Sequence, residues 1–219
     1  MMEGNARNTG GESAIGDRYR TIRGDGEFEF VEKRSRFLAI ARPVESSEAA
    51  ADFLGSLRKR YHSAAHHCSA WRIGYDGETT RFSDDGEPAG TAGRRILDVL
   101  VRRGVTNAVI VVVRWFGGIK LGTSGLAHAY SRAAEGAVER AGIVECVIFE
   151  RIRIGFPYER MREVHAVLEA LGAEIVTRSY VDTPWYVVRL RRSKVADLRE
   201  LLHDMTRGRV TIDSEDNGT

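Results

Sequence analysis

Two stretches concentrate side chains that could do chemistry. The first, Ser83 to Gly93, places Asp84, Asp85 and Glu87 within four positions of one another. Magnesium prefers one or two carboxylates together with phosphate oxygens, so this group could hold Mg²⁺ against a phosphorylated ligand. The same residues are also turn formers: Asp starts turns, Gly86 and Gly90 supply special dihedrals, and Pro88 stiffens the path. Loop architecture or a partner contact is the favoured reading of the acidic loop. The second stretch runs from Val109 to Gly125. An apolar β-branched run, Val109 to Val113, gives way to Arg114-Trp115-Phe116, then to Gly117, Gly118, Lys120, Gly122, Thr123, Ser124 and Gly125. A cation beside aromatics suits phosphate binding and base stacking, the combination used on RNA. Strand, glycine loop, hydroxyl N-cap and helix in that order can present backbone N–H groups to an anion. The competing reading makes both aromatics core and pairs Arg114 with Asp84 or Asp85.

His62, His66, His67 and Cys68 look like a ligand cluster. On a strand, however, His66 and His67 point to opposite faces, and no further CxxC or HxxxH partner set elsewhere in the chain completes a zinc site. His66 lining a cleft beside the acidic loop is the functional alternative to ordinary structural placement. Arg189, Arg191, Arg192 and Lys194 form a second basic run. Alternation puts Arg189 and Arg191 on one strand face, where a solvated face is the usual outcome. No residue is assigned a catalytic role, and no metal or cofactor is expected.

The elements that must position these residues follow from periodicity. Glu27 to Arg42 holds two strand candidates, with Phe28 and Phe30 alternating against Glu27 and Glu29. Ser46 caps a helix whose Ala50, Phe53, Leu54, Leu57 and Tyr61 recur at three and four. Ala65 to Ile73 and Thr79 to Phe82 read as a hairpin around Asp76-Gly77. A helix with Ile96, Val99 and Leu100 inward closes at Gly104. The run 108–114 reads as a strand buried on both faces. A helix from about Ser124 to Ala141 follows, with Leu126, Ala129, Tyr130 and Ala133 among its buried stripe. A second rhythm then gives strand 146–155, a helix with Met161, Val164, Leu168 and Leu171 on one face closed by Gly172, strands 174–181 and 185–191, a Ser193-capped helix with Val195, Leu198, Leu201, Leu202 and Met205, and a short strand at 209–212. This βαββαβ order is the ferredoxin-like pattern. The expected divisions are a disordered tail at 1–17, a first domain at 18–145, a second at 146–213 and a polar tail at 214–219.

Composition excludes several classes. The chain has 219 residues, 42% hydrophobic and 29% charged, with net charge +2. No bulk charge drives it onto nucleic acid or membrane. Cys68 and Cys146 suit free thiols better than a disulfide framework. No apolar run is long enough for a membrane span and no signal peptide is visible, so a cytoplasmic location is expected.

The segments HHCSAW (66–71), FSDDGEPAGTAG (82–93) and VVVRWFGGIKLGTSGL (111–126) together resemble the signature segments of the YigZ/IMPACT family. The similarity covers about Glu27 to Gly142, and the second domain resembles that of the bacterial YigZ branch. The resemblance implies an α+β chain: an N-terminal ribosomal protein S5 domain 2-like domain and a C-terminal ferredoxin-like domain resembling domains of elongation factor G. Eukaryotic relatives are linked to translational control, by competing for a regulator of an initiation-factor kinase. That partnership uses an extra domain standing where this chain has its second one, and it is not expected here. The expected function is a non-enzymatic, translation-linked regulator or accessory protein. It would bind RNA, the ribosome or a translation-related partner through the glycine-loop face. One alternative is an enzyme acting on a phosphorylated small molecule, since residues 121–127 resemble the phosphate loop of the GHMP kinases; Asp84 or Asp85 would then hold Mg²⁺. The other is a protein-interaction adaptor docking through residues 83–93, with Trp115 or Phe116 as anchor.

Overall fold

The computed structural model describes residues 16–215. The chain divides into two compact units, Arg18–Cys146 and Val147 onward, the latter joined by Asp17. Most of the expected disordered tail and the last four residues of the expected polar tail lie outside the described residues. Asp17 itself is held: its carboxylate accepts the Ser193 N–H and Oγ–H, each at 2.6 Å.

The first unit comprises β1 (Arg18–Ile22), β2 (Gly26–Glu32), β3 (Ser35–Pro43), α1 (Ser47–Arg60), β4 (His66–Ile73), β5 (Thr79–Ser83), α2 (Gly93–Arg102), β6 (Ala108–Trp115), α3 (Gly122–Ala141) and β7 (Ile143–Val147). Five strands form an antiparallel sheet in the order β2-β3-β6-β4-β5. The central strand, β6, explains the arrangement. Its side chains alternate between two cores, as a strand's must. Ile110 and Val112 pack with Phe37, Cys68 and Ala70 under α2 and α3. Val109, Val111 and Val113 pack with Leu38, Ile40 and Trp71 against Phe53 and Leu57 of α1. A β-branched run suits both sides because both are dry. α1 starts where the Ser46 hydroxyl accepts the Ala49 N–H at 3.1 Å.

β1 had no counterpart in the sequence reading. It pairs with β7, far away along the chain, so nothing local announces it. α3 begins at Gly122 rather than Ser124, and no side chain caps it. Thr123 and Ser124 therefore lie in its first turn and are exposed, which corrects the expected hydroxyl cap.

The second unit runs β8 (Phe149–Gly155), α4 (Met161–Leu171), β9 (Glu174–Ser179), β10 (Trp185–Arg191), α5 (Val195–Thr206) and β11 (Thr211–Ser214). Its antiparallel sheet has the order β11-β8-β10-β9. Ile152, Ile154, Tyr186, Val188 and Leu190 enter one core with Val164, Leu168, Leu198 and Leu202 of the two helices. The expected strand 146–155 is two strands, because Ile148 leaves the ladder and bonds to the Asp17 carbonyl. Ser193 is not a cap either, since its side chain is spent on Asp17. Of the apolar residues of α5, Leu198 and Leu202 are buried, whereas Leu201 and Met205 are exposed.

Candidate functional site

The acidic loop and the glycine loop face each other across a cleft of about 400 Å³ in the first unit, lined by His66, Glu87, Arg114, Phe116, Lys120 and Thr123 among others. Both loops hang from the same end of the sheet, one from β5 and one from β6.

Asp84 is the anchor of the acidic loop. Its carboxylate accepts the N–H groups of Gly90 (2.8 Å), Ala92 (3.0 Å) and Gly93 (2.8 Å). It thereby caps α2 from outside, at the helix end where a negative charge is most stabilising. Gly93 must be glycine for this closure, since a Cβ there would stand 2.5 Å from the Ser83 carbonyl oxygen. Asp85 splits its oxygens between the Arg58 guanidinium (2.6 Å) and the His67 N–H (2.7 Å). The carboxylates of Asp84, Asp85 and Glu87 therefore do not converge. No cluster of three or more metal-ligating side chains occurs among the described residues. The carboxylates considered for Mg²⁺ are instead engaged by the protein: Asp84 by three N–H groups at and before the start of α2, and Asp85 by Arg58 of α1 and the His67 N–H of β4.

Glu87 points the other way, into the cleft floor, where it is buried. It accepts Arg114 Nη1 at 2.5 Å and the Tyr130 hydroxyl at 2.8 Å. Arg114 is 5% exposed, so it is not an open phosphate grip, and its acid is Glu87 rather than Asp84 or Asp85. A guanidinium at the buried end of β6 needs a near anion, because desolvating an unpaired charge is prohibitive. Nη2 of Arg114 reaches the Ser35 hydroxyl at 3.3 Å, while its Nε has no hydrogen-bond partner. Tyr130 extends the network: Cys68 donates to its hydroxyl at 3.3 Å. Burial pushes both the Cys68 thiol and the Tyr130 phenol well above their ordinary ranges. Both stay protonated, so neither is a ready nucleophile or base.

His66 stands over this floor. Its Nδ1 lies 2.8 Å from the Asp85 carbonyl, which can only accept, so Nδ1 carries the proton. Nε2 is left 3.8 Å from Glu87 Oε1. His67 is buried beside Asp85, and desolvation holds its pKa below the usual histidine value.

The two aromatics of the RWF stretch separate. Trp115 packs edge-on against Tyr61 of the α1 side, carries the Arg36 guanidinium 4.4 Å over its ring and donates to Ser63. It is a packing residue. Phe116 is 53% exposed and lies at the cleft, 5.6 Å from the Arg114 guanidinium. Gly117 lets the loop press on the β2–β3 turn, because a Cβ there would fall 2.1 Å from the Arg34 backbone. Gly118 and Gly122 have positive φ. Lys120 is exposed at the rim, beside the uncapped start of α3. The free N–H groups of that first turn carry partial positive charge.

The second basic run does not act as one patch. Arg192 pairs with Glu150 and Lys194 donates to the Leu171 carbonyl, whereas Arg189 and Arg191 lie exposed on β10. Sequence reading missed Tyr130 and Cys68 as parts of the network. A tyrosine in an alanine-rich buried stripe was the available signal, since a buried phenol needs a partner.

The family model for the Impact N-terminal domain matches residues 33–138. The chain is 35% identical over 182 residues to the IMPACT family member YigZ of Escherichia coli (strain K12), covering 82% of this chain and 89% of that one. It is 36% identical to an IMPACT family member of Thermus thermophilus, covering 83% and 98%. The Protein IMPACT homolog of Saccharomyces cerevisiae is 40% identical over 116 residues, 51% of this chain and 44% of that protein. A crystal structure described as a hypothetical protein superposes with a TM-score of 0.67 at 30% identity, covering 93% of this chain and all of the other.

Proposed function

The chain belongs to the IMPACT family, and from that premise we propose that it is a non-enzymatic, translation-linked accessory protein of the cytoplasm that binds RNA, chiefly as presented by the ribosome, through the glycine-loop face of its first unit. One observation carries the reading. An uncapped helix N-terminus, a free lysine and an exposed phenylalanine stand together on one wall of a cleft. Lys120 and the first-turn N–H groups of α3 can receive a phosphate, and Phe116 can stack a base. On this reading the first unit is of the ribosomal protein S5 domain 2-like type and the second is ferredoxin-like, as in elongation factor G. The strand order β11-β8-β10-β9 supports the second assignment.

A second reading has its own observation. His66 Nε2 and Glu87 face the same cleft, whose volume fits a small molecule. An enzyme acting on a phosphorylated metabolite would use the α3 N-terminus for the phosphate and His66 as a proton carrier.

Ribosome co-sedimentation separates the two. Wild type is expected to pellet with ribosomes at low salt and progressively less as salt rises. Lys120→Glu and Phe116→Ala are expected to weaken this about tenfold without changing the melting temperature. If wild type fails to pellet at any salt, the RNA reading falls, and thermal stabilisation by millimolar phosphorylated metabolites would favour the enzyme.

A further inference from the structure

The sheet of the second unit has a face that neither of its helices covers. Ile152 and Ile154 of β8, and Tyr186, Val188 and Leu190 of β10, point into the helical core. Strand alternation therefore sends the intervening residues outward. On β8 these are Phe149, Arg151, Arg153 and Gly155; on β10 they are Trp185, Val187, Arg189 and Arg191, of which Val187 is buried at 2% exposed. The register places Trp185 beside Gly155, Arg189 beside Arg151 and Arg191 beside Phe149. The two central strands thus present four arginines and two aromatic rings, with no acid between them. The acids stand at the margins: Glu174 on β9 reaches Arg189 at 3.3 Å, Glu215 just past β11 reaches Arg151 at 3.2 Å, and Asp213 lies opposite Arg153.

The arginines and rings are already stacked. The Arg153 guanidinium lies 4.1 Å from the Trp185 ring centroid, and Arg189 lies 3.7 Å from that of Phe149. Arg153, Arg189 and Arg191 are exposed, and both rings are half-buried. A flat guanidinium on a ring leaves its edge N–H groups free for phosphate, while bases can stack on ring and guanidinium planes. Aromatic residues on the two central strands of a four-stranded sheet are the arrangement that splayed single-stranded bases require.

We propose that the arginine–aromatic stacks on this helix-free sheet face are a binding platform for single-stranded RNA, distinct from the glycine-loop cleft. Phosphates fall on the exposed Arg153 and Arg191 and, in place of Glu174, on Arg189, and two bases stack at Phe149 and Trp185. Thr177, paired with Val187 on the same face, adds a hydroxyl within the reach of a 2′-OH.

The test is fluorescence anisotropy of the full chain with labelled 12-nucleotide RNA, the matching DNA and a 12-base-pair RNA duplex, each over a salt series. Single-stranded RNA is expected to bind at least fivefold tighter than either competitor. The Arg153→Glu/Arg189→Glu variant should weaken it more than tenfold and reduce the salt slope by about 1.4, that is about 0.7 per lost phosphate contact. Trp185→Ala should weaken it about tenfold, and Trp185→Phe should restore most of that loss. Ultraviolet crosslinking of the wild type needs no variant, and should place the adduct in residues 149–153 or 185–191. Equal affinity for duplex, equal affinity for DNA, no binding by the wild type, or adducts confined to the first unit would each overturn the proposal. If Lys120→Glu abolishes binding while the sheet variants leave it intact, the platform is wrong and the glycine-loop reading stands.

Discussion

Replacing Glu87 by Gln removes one negative charge from a site where the partner cation cannot reach water. Arg114 is 5% exposed on its side chain and Glu87 is 4%. Breaking such a pair from one side leaves an uncompensated buried guanidinium, which costs about 3 kcal/mol at the lower end of the measured range. The first unit has about 130 residues. At roughly 2.1 cal/mol/K per residue, its unfolding entropy is about 0.27 kcal/mol/K, so the melting temperature should fall by about 11 °C. Differential scanning calorimetry or near-ultraviolet dichroism reads this directly. Adding Arg114→Met to Glu87→Gln removes the orphaned charge. The double variant should melt no lower than Glu87→Gln alone, giving a coupling of at least about 1 kcal/mol. A Glu87→Gln variant melting within about 4 °C of wild type, or a strictly additive double variant, would refute the view that this pair is desolvated.

Other outcomes follow from the same geometry. Asp84→Ala strips three N–H groups of their acceptor at the start of α2 and should cost about 2 kcal/mol, read by urea titration; Asp84→Asn should recover part of that. Gly136→Ala puts a Cβ 2.3 Å from the Phe28 ring and should destabilise by about 1–3 kcal/mol in the same titration, because α3 and β2 have no room to separate. His67 has a folded pKa below its unfolded value near 6.5 because burial disfavours its charged form. Its contribution is therefore fully present above about pH 6.5 and is lost as pH falls through the lower folded value, since the unfolded chain then binds the extra proton. Denaturant midpoints measured from pH 7.5 to 5 should fall for wild type and fall less for His67→Gln.

The parts of the fold legible in the sequence are those with a local cause. The β-branched run of β6 shows its two-sided burial in its composition, and Ser46 announces α1 three residues before the N–H it accepts. The second unit's element order is readable because each helix carries its own periodicity. What escaped has a partner distant in sequence. β1 has five residues with no apolar alternation of their own, and it exists because β7 offers it an edge. No residue next to α2 announces its cap, because the cap, Asp84, stands eight residues before Ala92. Glu87, Arg114, Phe116 and Lys120 line one cleft, but the sequence does not show which acid pairs with Arg114. Three acids within four positions are equivalent on paper. Only the loop's backbone path, with Asp85 and Gly86 at positive φ, sends one of them inward to Arg114.

The two walls of the cleft are not built alike. One is fastened by three hydrogen bonds to a single carboxylate and by the ion pair of Asp85 to Arg58. The other hangs from the Gly117 N–H, which reaches the Ser35 hydroxyl at 3.3 Å, and from the press of Gly117 on the β2–β3 turn. Adjustment to a guest therefore falls to residues 118–121, while residues 84–93 act as a fixed gauge of its width. In amide hydrogen exchange the two walls should differ before any ligand is added, and a ligand should slow exchange on the glycine side alone.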